Sequence, residues 1–176
     1  MNSPLEISLV EKLAPRHHVR HFKCGKNPLD LFIRRDALRN QGSDSTQAYV
    51  VHVDDVVMGY YSLAFGSARL EDSPGPIQAS MPPHYQVPVM LFARFAVDRK
   101  MQHRGIGKAL LKDAFLRTVE ASEIGGLAAI LVDAIDDKMT AFYEGFGFKR
   151  CPVGERRLMV TIKDVRAWLS RAVVPD

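Results

Sequence analysis

Apolar residues first recur at helical spacing at Leu29, Phe32, Ile33 and Ala37, which a repeat of 3.6 residues gathers onto one face. Asn27 before Pro28 has the character of a cap followed by proline at the first helical position, so a helix is predicted to run to about Gln41, with Gly42 ending it. Arg34, Arg35 and Arg39 fall on its polar side. Upstream, Ile7-Ser8-Leu9-Val10 reads as a short strand. Residues 47–53 and 56–64 are rich in β-branched and aromatic side chains, and Asp54-Asp55 between them is a two-residue turn, so a hairpin is expected. Residues 66–88 hold five prolines and two glycines, which predicts an irregular excursion. The run from Val89 to Val97 is apolar except for Arg94 and suits a central strand.

The second half alternates between helix and strand. A helix after Gln102 carries Leu110, Leu111, Ala114, Phe115 and Thr118 on one face, and Gly125-Gly126 closes it. Ala128 to Val132 is a buried strand, Asp136-Asp137 caps a short helix through about Glu144, and Phe148 begins a return strand. Leu158-Met159-Val160 is the last strand, and Val165, Trp168 and Leu169 mark a terminal amphipathic helix. This order of elements is that of an α/β protein. With 176 residues, 47% hydrophobic and 25% charged, the chain fits one domain spanning residues 1–176.

Charge and cysteine content narrow the possibilities. Cys24 and Cys151 lie far apart in sequence and in no metal-ligand spacing, so neither a disulfide framework nor a zinc knuckle is signalled, and a reducing cytoplasm is the expected location. The N-terminus has no basic start followed by an apolar run, and no apolar stretch reaches the roughly 20 residues that span a bilayer. The net charge of +4 is concentrated at one end: residues 1–42 hold eight Lys/Arg against four Asp/Glu, and the rest balances. Such a surplus favours an anionic partner, although a solvated basic face is the commoner reason for it. His17-x3-His21-x2-Cys24 has the look of a metal motif, but no further ligand follows nearby, so it reads as loop or surface with no metal.

The candidate chemistry lies in Gln102-His103-Arg104-Gly105-Ile106-Gly107, where a buried strand feeds a helix. The first amides of a helix have no internal partner, and the dipole adds about half a positive charge there. Glycine at 105 and 107 lets a ligand approach the backbone, and Arg99, Lys100, Arg104 and Lys108 surround the turn. A pyrophosphate fits. An isolated Gly-x-Gly is more often just a tight turn, and no Walker lysine or third dinucleotide glycine is present. With Ala96-Val97-Asp98 before it and Lys108-Ala109-Leu110-Leu111 after it, the segment resembles the cofactor motif of the GNAT acetyltransferases. Ala141-Phe142-Tyr143-Glu144-Gly145-Phe146-Gly147-Phe148 resembles a second segment of that family.

The resemblance implies a central mixed twisted sheet flanked by helices and splayed between two parallel strands, those ending at Val97 and near Asp133. It implies acetyl-CoA as cofactor, held by Phe95, Ala96, Val97, Gln102, His103, Arg104, Gly105, Ile106, Gly107, Lys108 and Ala109, with Asp133, Asp136 and Phe142 beside it. Tyr143 is the implied catalytic acid: a phenol of pKa about 10 donates to a thiolate whose thiol is near 8.5. A strand amide at Ala96 or Val97 is expected to stabilise the oxyanion. Asp136 stands where the family often has asparagine.

A wider resemblance runs from about Phe22 to Lys163. Cys24 to Leu29, Ala37 to Gln41, Gly59 to Ala64, Arg94 to Asp98 and Val132 to Asp137 resemble the acetyltransferase toxins of bacterial toxin-antitoxin pairs, which acetylate aminoacyl-tRNA. Phe95 departs from the leucine common in that group. The resemblance implies a homodimer, translational arrest and a cognate antitoxin with a ribbon-helix-helix end. An α-amino group has a pKa of about 7.7–8.0, so no strong base is required, and Glu144 is the carboxylate left open for that role. Arg34, Arg35, Arg39 and Arg94, with Arg156 and Arg157, are the candidates for tRNA phosphates. Two rivals stand beside this reading: an acetyltransferase for small-molecule or protein amines, marked by an acidic acceptor groove, and a cofactor-binding module without turnover.

Overall fold

In the computed structural model, which describes residues 4–173, seven strands share one sheet. They are β1 (Glu11–Lys12), β2 (Gln47–Val53), β3 (Val56–Arg69), β4 (Gln86–Val97), β5 (Ala129–Asp133), β6 (Lys149–Arg150) and β7 (Arg157–Thr161), in the order β1-β2-β3-β4-β5-β7-β6. β4 and β5 are parallel, while β1–β2, β2–β3, β5–β7 and β6–β7 are antiparallel, so the sheet is mixed. The helices are α1 (Asn27–Leu31), α2 (Ala37–Gly42), α3 (Gly75–Gln78), α4 (Ile106–Ile124), α5 (Asp137–Glu144) and α6 (Ile162–Val173). α4 is the crossover that two parallel neighbours require. β4 and β5 pair over three residues only, from Val89↔Ala129 to Leu91↔Leu131. β4 then runs on for six residues, and β5 continues to Asp133 paired with β7.

The chain divides into two compact units, residues 4–64 with 93–114, and residues 65–92 with 115–173. In the first, Phe22, Phe32, Ile33, Ala37, Val50, Val57 and Tyr60 form the core, and the Tyr60 hydroxyl donates to Leu29 O at 2.7 Å. Burial of these side chains, at about 1.5–3 kcal/mol each, fixes the helical segment on the sheet. In the second, Ala68, Leu70, Ile77, Val87, Val89, Leu131 and Met159 pack together. The rings of Phe115, Phe148, Phe146 and Trp168 make a further aromatic layer there.

The hairpin forms as expected. Asp54 and Asp55 both take positive φ (49° and 66°), the backbone that a tight two-residue turn matching strand twist demands. Three expectations change. Residues 7–10 are not a strand: Leu9 is 90% exposed, so the run buries no alternating face, and strand pairing begins at Glu11. The irregular excursion is shorter, because exposed and buried residues keep alternating through Arg69 and β4 already begins at Gln86. What remains holds a 3-10 turn, Leu70–Asp72, and α3. The helix from Asn27 to Gly42 is present but widened by a π turn at Phe32–Asp36, and Lys26 rather than Asn27 is its N-cap. Lys26 offers no capping side chain, and the Asp30 carboxylate instead reaches back to accept the Cys24 N–H at 2.8 Å. Among the described residues no helix is long and apolar enough to cross a membrane.

Candidate active site

The glycine loop owes its place to close packing beneath it. A Cβ on Gly59 of β3 would lie 3.0 Å from Leu110 Cδ1, 3.2 Å from Ile106 Cγ2 and 3.2 Å from Val51 Cγ2, so glycine lets the first turns of α4 settle this near the sheet without shifting those side chains. The loop backbone then turns sharply. His103 and Gly105 both adopt left-handed φ, 63° and 81°, and alternation of this kind turns successive N–H groups into one concavity. Ala109 N–H makes the bond to Gly105 O, at 3.1 Å. The amides of Ile106, Gly107 and Lys108 precede it and have no helical acceptor. Nothing lies within 4 Å of where a Gly105 Cβ would stand, and His103, Arg104 and Lys108 are exposed around the loop. These residues fit a pyrophosphate: open space, convergent donors and positive charge coincide.

Gln102 behaves differently from its neighbours. Its side-chain nitrogen donates to Val97 O and to Cys24 O, each at 2.9 Å, so the amide supports the loop. Asp98, 5% exposed, accepts from Lys100 N and Lys23 N, both at 3.0 Å. An aspartate at the end of a strand before a turn signals such local bonding, but its long-range partner Lys23 has no sequence signal. Phe95, Ala96 and Val97 occupy the end of β4, with Ala96 buried and the other two partly so.

Tyr143, on α5 in the second unit, is 3% exposed and packed against the rings of Phe142, Phe148 and Phe92 at centroid distances of 5.5, 5.3 and 6.2 Å. Burial raises its phenol above the ordinary tyrosine value, so the hydroxyl keeps its proton throughout the neutral range. Asp136 is the N-cap of α5, its Oδ1 accepting from Met139 N at 2.8 Å, which aspartate does as well as asparagine. Asp133, at the end of β5, receives a two-pronged bond from Arg157 (2.9 and 3.1 Å), and Arg156 pairs with Asp137 at 3.0 Å. Carboxylates therefore occupy both of these arginines. Glu144 is paired with Arg150 at 3.1 Å.

Of the candidate arginines in the first unit, three lie on the helical segment after Asn27 and Arg94 lies on β4. Arg35 and Arg39 are exposed, and Arg39 pairs with Asp36 at 2.7 Å. Arg34 donates to Phe22 O, and Arg94 lies over the Phe32 ring at 5.0 Å. His17 is buried and does not join His21 or Cys24. It meets Glu11 and His52, three side chains whose ligand atoms lie within 4.8 Å of one another. His17 Nδ1 accepts from Ala14 N (2.9 Å) and His52 Nδ1 from Asp55 N (3.1 Å). Each ring therefore carries its proton on Nε2, which donates to Glu11 Oε1 at 2.8 and 2.6 Å. A metal needs those Nε2 lone pairs, so the cluster reads as a hydrogen-bonded latch.

The mixed sheet with its parallel β4–β5 pair and the glycine turn at the head of α4 are compatible with an acyltransferase that uses acetyl-CoA. A family model described as an acetyltransferase (GNAT) domain matches residues 44–150. The chain is 41% identical over 163 residues to the tRNA-acetylating toxin of Mycobacterium tuberculosis, covering 93% of this chain and 97% of that protein. In structure it is similar to AtaTR bound with acetyl-CoA, at TM-score 0.80 and 25% identity, covering 93% of this chain and 98% of that one. It also shares the fold of AtaT complexed with acetyl-methionyl-tRNAfMet, at TM-score 0.84 and 24% identity over 93% and 99% of the two chains. The chain belongs to the GNAT acetyltransferase family. It is accordingly an acetyl-CoA-dependent N-acetyltransferase.

Proposed function

We propose that this enzyme transfers acetyl from acetyl-CoA to the α-amino group of aminoacyl-tRNA and so acts as the toxin of a toxin-antitoxin pair. The observation that carries this reading is the 41% identity, over nearly the whole of both chains, to a protein named for tRNA acetylation. The exposed arginines of the first unit supply the cationic surface that a polyanionic acceptor needs. The chain acts as one domain: each compact unit is built from two separate stretches, so neither can be cut out as a continuous piece.

Acetyl-CoA, when bound, supplies an activated acyl carbon. Residues 103–109 hold its pyrophosphate through backbone amides and the helix dipole, with Arg104 and Lys108 adding charge. The end of β4, at Phe95, Ala96 and Val97, lines the arm, and an amide at Ala96 or Val97 receives the developing oxyanion. In the second unit, Asp136 caps α5, Asp133 ends β5 and Phe142 lies on α5, and these three are the cofactor contacts proposed there. With acetyl-CoA bound, the amine would form its C–N bond at the acyl carbon as C–S breaks, the Tyr143 phenol would give its proton to the departing sulfur, and the proton lost from nitrogen would restore the phenol through water. The ammonium proton leaves to water, since an α-amino group of pKa about 7.7–8.0 needs no strong base. Glu144, ion-paired and exposed, is not needed for it. Arg34, Arg35, Arg39 and Arg94 hold phosphates of the acceptor. The protein works in the cytoplasm as a homodimer, and a cognate antitoxin with a ribbon-helix-helix DNA-binding end neutralises it.

The test is acetyl transfer from radiolabelled acetyl-CoA to a pool of aminoacylated tRNAs, beside uncharged tRNA and Tyr143→Phe. Label is expected on charged tRNA alone and is expected to fall sharply in the variant. Label on uncharged tRNA, or on polyamines and protein amines while charged tRNA stays unlabelled, overturns the reading.

A further inference from the structure

Cys24 has its two backbone groups bonded in opposite directions. Its N–H donates to Asp30 Oδ1 at 2.8 Å, and Asp30 belongs to α1 and is 4% exposed. Its carbonyl accepts from Gln102 Nε2 at 2.9 Å, and Gln102 opens the cofactor loop. Two further bonds fasten the same stretch: Arg99 N donates to Lys23 O at 2.8 Å, and Lys23 N to Asp98 Oδ2 at 3.0 Å. Gly25, at φ 104°, stands where a Cβ would meet Arg99 Nε at 3.1 Å. The segment leading into the arginine-bearing helix is thus stapled to the turn that holds the pyrophosphate. The staple next to the loop is one side chain with two donors, shared between Val97 O and Cys24 O.

We infer that Gln102 is a positioning residue that couples cofactor occupancy of the loop to the order of residues 22–30, and through them to the acceptor-binding helix. Fixing the loop backbone around a pyrophosphate fixes the base of the Gln102 side chain, which in turn holds Cys24 and, through Cys24 N–H, Asp30. Coupling of this kind is reciprocal, so acceptor bound at the helix tightens the cofactor by the same factor. Its consequence for tRNA rests on the acceptor reading above, whereas the coupling of loop to segment does not.

Amide hydrogen exchange on the full-length protein, titrated with CoA so that no turnover occurs, separates the two. In the wild type, protection is expected at residues 103–109 and at residues 22–30, rising at the same CoA concentration. Gln102→Met removes both donors at similar volume. It also unpairs Val97 O, so the loop loosens in part, but protection at 22–30 should fall further than at 103–109, by about tenfold for a part-buried carbonyl left unpaired. Gln102→Arg, which restores donors, should return part of it, and the KM for charged tRNA should follow while kcat changes less. Unchanged protection at 22–30 in Gln102→Met overturns the coupling. So does a wild-type segment that CoA never protects, or that it protects at a different concentration from the loop, an arm that stands even where the variant does not fold. Failure of the acceptor reading has its own mark: no label on charged tRNA, with the exchange pattern intact.

Discussion

Gly59 faces Leu110 across a gap too tight for a Cβ unless the neighbours shift, since a Cβ there would lie 3.0 Å from Leu110 Cδ1 and 3.2 Å from Ile106 Cγ2. Both contacts belong to the first two turns of α4, whose N-terminal amides form the proposed anion cradle. Gly59→Val therefore pushes the cradle away from the sheet. Overpacking of this kind costs about 1–3 kcal/mol. The expected result is a lower midpoint in thermal unfolding together with weaker CoA binding by calorimetry. Normal CoA affinity in the variant would show that the cradle does not depend on this contact.

As the proposed acid, Tyr143 would set the pH behaviour of the chemical step. Burial holds its phenol above the ordinary value of about 10, so no alkaline loss of the acid is expected in the working range. kcat/KM should rise with pH as the acceptor amine loses its proton, with an acid limb at or below about pH 8, and then stay flat to about pH 10. Tyr143→Phe keeps the packing against Phe142 and Phe148 and should lower kcat by about 10²–10⁴ with little change in unfolding midpoint. A wild-type profile that bends down between pH 8 and pH 9, at roughly one unit below the free phenol, would contradict an acid held in this pocket.

The same burial makes the folded state sensitive to base. Cys24 and Cys151 are raised from 9.0 to about 11, in each case chiefly by desolvation. A group whose folded pKa lies above its unfolded one lends stability that is complete below the unfolded value and is lost as pH climbs to the folded one. The window opens at pH 9, and from about pH 10 the raised Tyr60 and Tyr143 add their own losses. Urea midpoints should hold between pH 7 and 8.5 and fall above 9, and the part of the fall between 9 and 10 should flatten in a Cys24→Ala, Cys151→Ala double variant.

Much of this could be read in the chain, because the informative signals were local. The β-branched and aromatic hairpin at 47–64, the helical stripe at Leu110 to Thr118, and the Asp136 cap each depend on residues within a few positions, and each stands where expected. The turn at residues 102–107 was legible because its glycines sit between a strand and a helix. What escaped was fixed by long-range pairing. Asp98 with Lys23 and Gln102 with Cys24 are separated by more than 70 residues, and no spacing rule announces them. His17 resembled half a metal motif with His21, yet its partners are Glu11 and His52, brought together by the β1–β2 pairing. The π turn at Phe32–Asp36 also lies inside a run of ordinary helical periodicity.

The proposed cradle would depend on backbone conformation more than on the side chains that spell it. His103 holds φ at 63°, which a non-glycine residue adopts at a cost, while Gly105 at 81° does so freely. His103→Gly should leave the KM for acetyl-CoA nearly unchanged and stabilise the fold slightly, because the amides stay where they are. Gly105→Val should raise that KM strongly, since a left-handed β-branched residue costs about 1–2 kcal/mol or more. If His103→Gly instead weakens the cofactor as much as Gly105→Val, the imidazole itself is a ligand.

The latch at Glu11 offers a test of metal against proton. Its carboxylate is pulled down from 4.5 to about 2, first by the bond from His17, then by that from His52, with Arg16 adding to it. A carboxylate lowered in this way lends stability that is present above pH 4.5 and lost as pH falls through 2. The two imidazoles both present Nε2–H to the same oxygen, so a cation would have to displace two protons and break the bonds from Ala14 N and Asp55 N. Zinc added at pH 7 is expected to leave the unfolding midpoint unchanged, whereas Glu11→Gln, which meets both Nε2–H groups with a weaker acceptor, should lower it. A midpoint that rises with zinc in the wild type and not in His52→Ala would make this cluster a metal site and reverse the tautomers assigned to His17 and His52.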